Sequence, residues 1–230
     1  MMMGLSTGQR KKSQMQRWLL LMLLWVSWPL VASQQPTVLV MGDSLSAAYG
    51  IEQDAGWVSL LQTRLNGKAV IVNASISGET TSGGIARLPE QLRQHTPDIV
   101  LIELGGNDGL RGLPPSQMRN NLRSMIETSQ AANAQVLLIG IDIPPNYGDA
   151  YRSAFTRTYN ALADEYDLTL VPFLLEGVAL EPELMQSDGI HPTAEAQPRL
   201  LETVWPALEL LLENHRNSQA GDSPLPQATN

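Results

Sequence analysis

Five short runs of aliphatic and β-branched residues, Thr37 to Met41, Ala69 to Asn73, Ile99 to Leu104, Val136 to Ile141 and Leu168 to Val171, are separated by longer stretches with helical periodicity. Parallel strands need a crossover between them, and strands alternating with helices are how that need shows in a sequence. Trp57, Leu60, Leu61 and Leu65 share one helical face; Met118, Leu122, Met125 and Ile126 share a second; Phe155, Tyr159, Leu162 and Tyr166 share a third. With right-handed crossovers the expected fold is a three-layer α/β/α sandwich around a five-stranded parallel sheet, doubly wound and flavodoxin-like. Each strand run is nearly all apolar, so burial on both faces is expected. The last helical region, Thr193 to Glu213, contains Pro198 and Pro206 and is expected to be kinked or split.

Outside this pattern lie the two ends. Arg10, Lys11, Lys12 and Arg17 precede an apolar run from Trp18 to Ala32, and Pro29 interrupts that run just before the small residues Ala32 and Ser33. Basic, apolar, then small is the order of a secretory signal, expected over 1–33. An uncleaved membrane anchor is the alternative, but the run is shorter than the roughly 20 apolar residues that span a bilayer. The expected catalytic domain is then 34–213, and 214–230, rich in Ser, Gln, Pro and Asn, reads as a disordered tail. Localisation in the periplasm or outside the cell follows from the leader, and a monomer is expected.

Without its four leader cations the chain carries 11 basic and 23 acidic residues, 11 − 23 = −12. Such a surface repels phosphate backbones, so no nucleic-acid partner is expected. There is no cysteine, which excludes disulfides, a thiolate nucleophile and thiolate metal ligands.

Four polar segments follow strands or approach the last helix. Gly42-Asp43-Ser44-Leu45-Ser46 follows the first strand; a serine at a helix start would have an unpaired N–H and a favourable dipole, although Asp43, Ser44 and Ser46 are equally ordinary helix caps. The second strand ends in a small, polar loop where Gly78 lets a backbone N–H approach a ligand. After the third, Gly105-Gly106-Asn107-Asp108 offers an amide donor beside flexible backbone, or simply a turn. Near the end, Asp188 and His191 flank Gly189; in a tight turn Asp188 would accept the Nδ1 proton and leave Nε2 outward as a base. A solvated surface histidine is the plain alternative. The remaining histidines, His95 and His215, make a closed zinc site with His191 implausible, and no metal or cofactor is expected.

Each segment alone is ambiguous, but together they supply every part of an acyl-transfer site at the edge where this architecture places ligands. Ser44 attacks, His191 takes its proton, Asp188 orients the imidazole, and the N–H groups of Ser44 and Gly78 with the Asn107 amide hold the oxyanion.

The same residues resemble the four blocks of the SGNH (GDSL) hydrolases at Ser44, Gly78, Asn107 and His191. From Val38 to about Leu212 the chain is similar to the thioesterase I, lysophospholipase and arylesterase branch in the stretches GDSLSAAYGIE, NASISGETTSGG, ELGGNDGLRG, PPNYG and QSDGIHP. That resemblance implies hydrolysis of small-molecule fatty acyl esters and thioesters with broad specificity and passing contact with lipid. It also implies a mobile cover near Pro144 to Tyr151, and substrate contacts from Asp43, Leu45, Asp108, Leu110, Ile143, Pro144 and Tyr147. Asp142 departs from the pattern, which has a basic residue there, and puts CoA substrates in question. The serine-hydrolase elbow G-x-S-x-G is absent, consistent with a shallower, open site.

Two other readings compete. A carbohydrate O-acetyl esterase would use the same constellation but line its cleft with aromatic platforms; outside the leader only Trp57 and Trp205 are tryptophans, and Trp57 lies in a core stripe, whereas Leu110, Leu113, Ile143 and Leu175 suit an acyl chain. A non-enzymatic flavodoxin-like binding module would require a phosphate-binding motif that the chain lacks.

Overall fold

Val38, Leu39, Val40 and Met41 point alternately to opposite faces of one strand and all four are fully buried, which requires a packed layer on each side of it. A computed structural model describing residues 35–221 provides those layers; the expected leader at 1–33 and residues 222–230 lie outside the described residues. The strands are β1 (Thr37–Gly42), β2 (Val70–Asn73), β3 (Ile99–Glu103), β4 (Gln135–Ile139) and β5 (Thr169–Val171). They form a parallel sheet in the order β2-β1-β3-β4-β5.

Helices α1 (Trp57–Leu65) and α6 (Gln197–Gly221) cover one face, where Trp57, Leu61, Leu200, Val204 and Leu208 pack on Val38, Val40, Ile99 and Leu101. Helices α2 (Thr81–His95), α4 (Pro115–Ala131) and α5 (Asp149–Tyr166) cover the other, where Leu88, Met118, Leu122, Phe155 and Tyr159 pack on Leu39, Met41, Val100 and Ile102. The short α3 (Gly106–Leu110) links β3 to α4. All three stripes read from the sequence face the sheet, with Leu60 and Tyr166 at their margins.

Burial on both faces describes β1, β3 and β4 but not the edge strands. Val70 is 44% exposed and Thr169 and Leu170 are half-buried, because the helical layers sit over the middle of the sheet. The last helix is not split: α6 runs continuously from Gln197, with Pro198 in the first turn, where its missing N–H is no loss, and Pro206 inside. Nor does it stop at Glu213. It continues to Gly221, and His215 lies 3.7 Å from Asp98, so 214–221 is helical rather than tail. Polar composition misled there, since Glu, Gln, Arg and Ala are good helix formers and the first strong breaker is Gly221.

β1 and β3 are neighbours whose chains leave the sheet in different directions, toward β2 and β4. Their last register pair is Gly42 with Glu103. Beyond it opens the crevice in which a doubly wound sheet binds ligands.

Candidate active site

The turn after β1 is shaped by a carboxyl beneath it. Glu103 Oε2 accepts hydrogen bonds from Ser46 Oγ at 2.7 Å and from the Asp43 N–H at 3.3 Å. A Cβ on Gly42 would stand 2.8 Å from that oxygen and 2.7 Å from Ser46 Cβ, so only glycine fits. Asp43 Oδ1 accepts the Leu45 N–H at 3.0 Å, and the Ala47 N–H reaches Asp43 O at 3.0 Å. The short helical turn expected after this loop is one turn long and goes no further. A single turn closes, then Ala48 takes φ +57° and the chain departs. Asp43 Oδ1 caps that turn by taking the Leu45 N–H, one of the donors that the start of a helical turn leaves unpaired.

The histidine loop is built by the same kind of chemistry. Asp188 Oδ1 accepts the N–H groups of Ile190 (2.9 Å) and His191 (3.0 Å), which turns its Oδ2 to within 2.7 Å of His191 Nδ1. Nε2 then faces Ser44 Oγ at 2.9 Å. Gln186 closes the loop: its N–H donates to His191 O at 2.7 Å, and its side-chain amide donates to Tyr49 O and Pro192 O, each at 2.9 Å. The Tyr49 ring lies against the imidazole, centroids 4.4 Å apart. Tyr49 and Gln186 thus join the histidine loop to the serine turn.

Asn107 sits in α3, and its Nδ2 donates to Asp43 Oδ2 at 3.0 Å. That uses one of two amide hydrogens and leaves the other for a ligand. Gly78 is the third residue of a turn closed by Glu79 N to Ile76 O (3.1 Å) and has φ +79°, where glycine carries no steric cost. Its loop is tied to the serine turn through Ile76 N to Gly42 O (3.1 Å) and Asn73 Nδ2 to Ser46 O (2.9 Å). Arg111 Nη2 donates to Gly78 O at 2.8 Å, joining the Asn107 segment to the same loop.

Charges diverge across the site. Burial works to raise the Asp188 pKa, but the hydrogen bonds from His191 and Ile190 and the nearby imidazole outweigh it and bring it to about 2. Burial lifts Asp43 to about 6, against the opposing pull of Leu45, His191 and Asn107. Burial, reinforced by the Asp43 charge, raises Glu103 well above the usual carboxylate range. Glu103 is fully buried and its Oε1 lacks a partner among the described residues, as suits a neutral acid.

A cleft of roughly 500 Å³ adjoins Ser44 and His191, and Asp43, Leu45, Leu110, Ile143 and Pro144 line it. Two expected contacts do not. Asp108 is buried and not in the lining; its oxygens take the Thr81 N–H (2.9 Å) and hydroxyl (2.6 Å), pinning the start of α2 to α3. Tyr147 also stands outside the lining, its hydroxyl bonded to Leu110 O at 2.8 Å while Tyr151 bonds Leu113 O at 2.7 Å. Together these two tyrosines fasten the segment after β4 to the one after α3. Leu113, suggested for the acyl chain, lies outside the lining, whereas Leu175 is within it. Phe173, Leu180, Met185, Ile190 and Arg152 join the wall without having been singled out from the sequence. Ile190, beside His191, is the one that adjacency to a motif could have found.

Residues 40–198 match the model of the GDSL-like lipase/acylhydrolase family. Esterase TesA of Pseudomonas aeruginosa is 55% identical over 179 residues, 76% of this chain and 89% of that one. Thioesterase 1/protease 1/lysophospholipase L1 of Escherichia coli K12 is 48% identical over 200 residues, 86% of this chain and 95% of that one. Among solved structures, the psychrotrophic esterase EstA from Pseudoalteromonas sp., inhibited by monoethylphosphonate, superposes with a TM-score of 0.74 at 43% identity, covering 77% of this chain and 98% of that one. On its strand order, its four converging loops and these likenesses, the chain belongs to the GDSL-like lipase/acylhydrolase family.

Proposed function

We propose that this chain hydrolyses acyl esters and thioesters through a Ser44-His191-Asp188 triad. The observation that carries the reading is the relay itself: His191 Nε2 at 2.9 Å from Ser44 Oγ and Nδ1 at 2.7 Å from Asp188. Ser44 gives its proton to Nε2 as Oγ bonds to the acyl carbon. The oxyanion is held by the N–H groups of Ser44 and Gly78 and by the second amide hydrogen of Asn107, with Asp43 keeping that amide in place. The carbon–oxygen or carbon–sulfur bond then breaks, and the leaving group takes the proton from Nε2. Water repeats the sequence with His191 as base, releasing the acid and restoring Ser44.

The cleft favours an acyl chain over a sugar. Its wall includes Leu45, Ile143, Phe173, Leu175 and Ile190, and among the described residues no tryptophan is in it; Trp57 is buried in the core and Trp205 lies on α6 under Arg64. The relatives named esterase and thioesterase point to the same small-molecule substrate class.

A fluorophosphonate ester tests the nucleophile: one covalent adduct on Ser44, lost in Ser44→Ala, is the expected result. Labelling that persists in Ser44→Ala overturns the assignment. We propose also that residues 1–33 are an export signal and that the mature enzyme works as a monomer outside the cytoplasm. Among the described residues no helix is long and apolar enough to cross a membrane. Fractionation with mass spectrometry of the mature N-terminus checks the export reading, and a protein retaining its leader in the membrane fraction would refute it.

A further inference from the structure

Asp142 and Arg152 form an ion pair in the wall of the cleft. Arg152 Nε donates to Asp142 Oδ1 at 3.1 Å and Nη2 binds Oδ2, so both carboxylate oxygens are taken by one guanidinium fork. Asp142 is held from the other side as well, because Oδ1 accepts the Ile143 N–H at 2.8 Å. Asp142 follows β4, and Arg152 lies in the first part of α5. The two line one continuous cavity with Ser44 and His191.

Among the described residues, the other fixed charges of that lining are acidic. Asp43 is turned to Asn107 and Leu45, and Glu176 stands in the wall without a cation opposite it among the lining residues. Arg152 is therefore the one arginine or lysine of the lining, and its fork is already filled. A guanidinium with a free fork is a strong receptor for phosphate or carboxylate; one clamped by a carboxylate presents almost no net charge.

We infer that Asp142 sets the charge selectivity of this cleft: by occupying Arg152 it withholds the cation, so that uncharged acyl substrates are accepted over anionic ones. The inference rests on the proposed hydrolase activity and adds to it a preferred substrate class, neutral esters and thioesters.

Two thioesters of one fatty acid separate charge from chemistry. Acyl-CoA carries phosphates on its leaving group; the acyl N-acetylcysteamine thioester has the same reacting bond and no charge. In Asp142→Asn the amide oxygen still accepts the Ile143 N–H while the charge is removed. The ratio of kcat/KM for acyl-CoA over the neutral thioester is expected to rise about fivefold, mostly through KM, since a charge uncovered at the protein surface acts across about a Debye length. The rise should vanish in Asp142→Asn/Arg152→Gln and at about 1 M salt. Arg152→Gln alone leaves Asp142 uncompensated and should lower the ratio below that of the unmodified enzyme.

A ratio unmoved in Asp142→Asn overturns the inference, as does a rise that survives loss of Arg152 or high salt. Reading a ratio cancels any general effect of the substitutions on folding. If the unmodified enzyme turned over neither thioester nor a simple ester, the hydrolase reading itself would fail, an outcome distinct from an unchanged ratio.

Discussion

Glu103 Oε2 lies 2.7 Å from Ser46 Oγ, so a fully buried carboxyl at the end of β3 holds the turn that carries Ser44. The same oxygen accepts the Asp43 N–H, and the bulk of the carboxyl excludes any side chain at Gly42. If Glu103 is a neutral acid, glutamine can replace it with both accepted bonds kept. Glu103→Gln is expected to retain kcat within about threefold, while Glu103→Leu, which strands two buried donors, loses about 10- to 100-fold as Ser44 drifts. Steady-state kinetics of the two variants decide this; equal losses would argue that the charge matters.

A pH dependence of stability follows from the same pair. Folding raises Asp43 from 3.8 to about 6 and raises Glu103 well above 4.5. A carboxyl raised by folding contributes stability that is complete below its unfolded pKa and is lost as pH climbs through its folded pKa. The pair should therefore lower the melting temperature progressively above about pH 4, with Asp43 acting up to about pH 6 and Glu103 acting in the same direction from its ordinary titration range upward. In Glu103→Gln the decline should be shallower, a difference that thermal melts across this range will measure.

Asn107→Ala should reduce kcat by about 10²- to 10³-fold with little change in KM, the signature of a group that meets the oxyanion rather than the ground state. Asp43→Asn is expected to do less harm, because it loosens the Asn107 amide without removing it. The double variant should be no worse than Asn107→Ala alone. Full additivity in that cycle would show that Asp43 acts through something other than Asn107.

Gln186→Ala removes the amide that bonds Tyr49 O and Pro192 O, freeing the histidine loop from the serine turn. About 1–3 kcal/mol of stability and a fall in kcat at nearly constant KM are expected. Wild-type turnover in a destabilised Gln186→Ala would limit the residue to a folding role.

Gly42→Ala places a methyl group 2.7 Å from Ser46 Cβ and 2.8 Å from Glu103 Oε2. Both neighbours are buried and hydrogen-bonded, so the backbone must shift, at a cost of about 1–3 kcal/mol. Chemical denaturation should show this as a lower midpoint with an unchanged slope.

Much of the scaffold was legible in local pattern. The runs at Thr37, Ile99 and Val136 became the central strands, and the stripes of Trp57, Met118 and Phe155 became core helix faces, because alternation and helical period depend on near neighbours in sequence. Legibility failed where the answer depended on distant partners. Asp108 reads as a polar loop residue beside Asn107, yet its oxygens are spent on Thr81; Tyr147 sits among expected cover residues, yet its hydroxyl is tied to Leu110. Tyr49 and Gln186 lie within the motif stretches GDSLSAAYGIE and QSDGIHP, but nothing local in either stretch says that they meet, because their purpose is to join two loops separated by 137 positions.

The sequence by itself determined the order of the strands, the helix faces of Trp57, Met118 and Phe155, the absence of any thiol chemistry, and the local turns that aim each polar group, such as Asp188 bonding the N–H groups two and three residues ahead of it. Tertiary structure alone decided that Glu103 would be buried beneath Ser46, that His191 would reach Ser44, and that Arg152 would be taken by Asp142. The reason is one of range. Backbone propensity and short polar turns act over a few residues, whereas desolvation and ion pairing depend on which surfaces the packed sheet brings together.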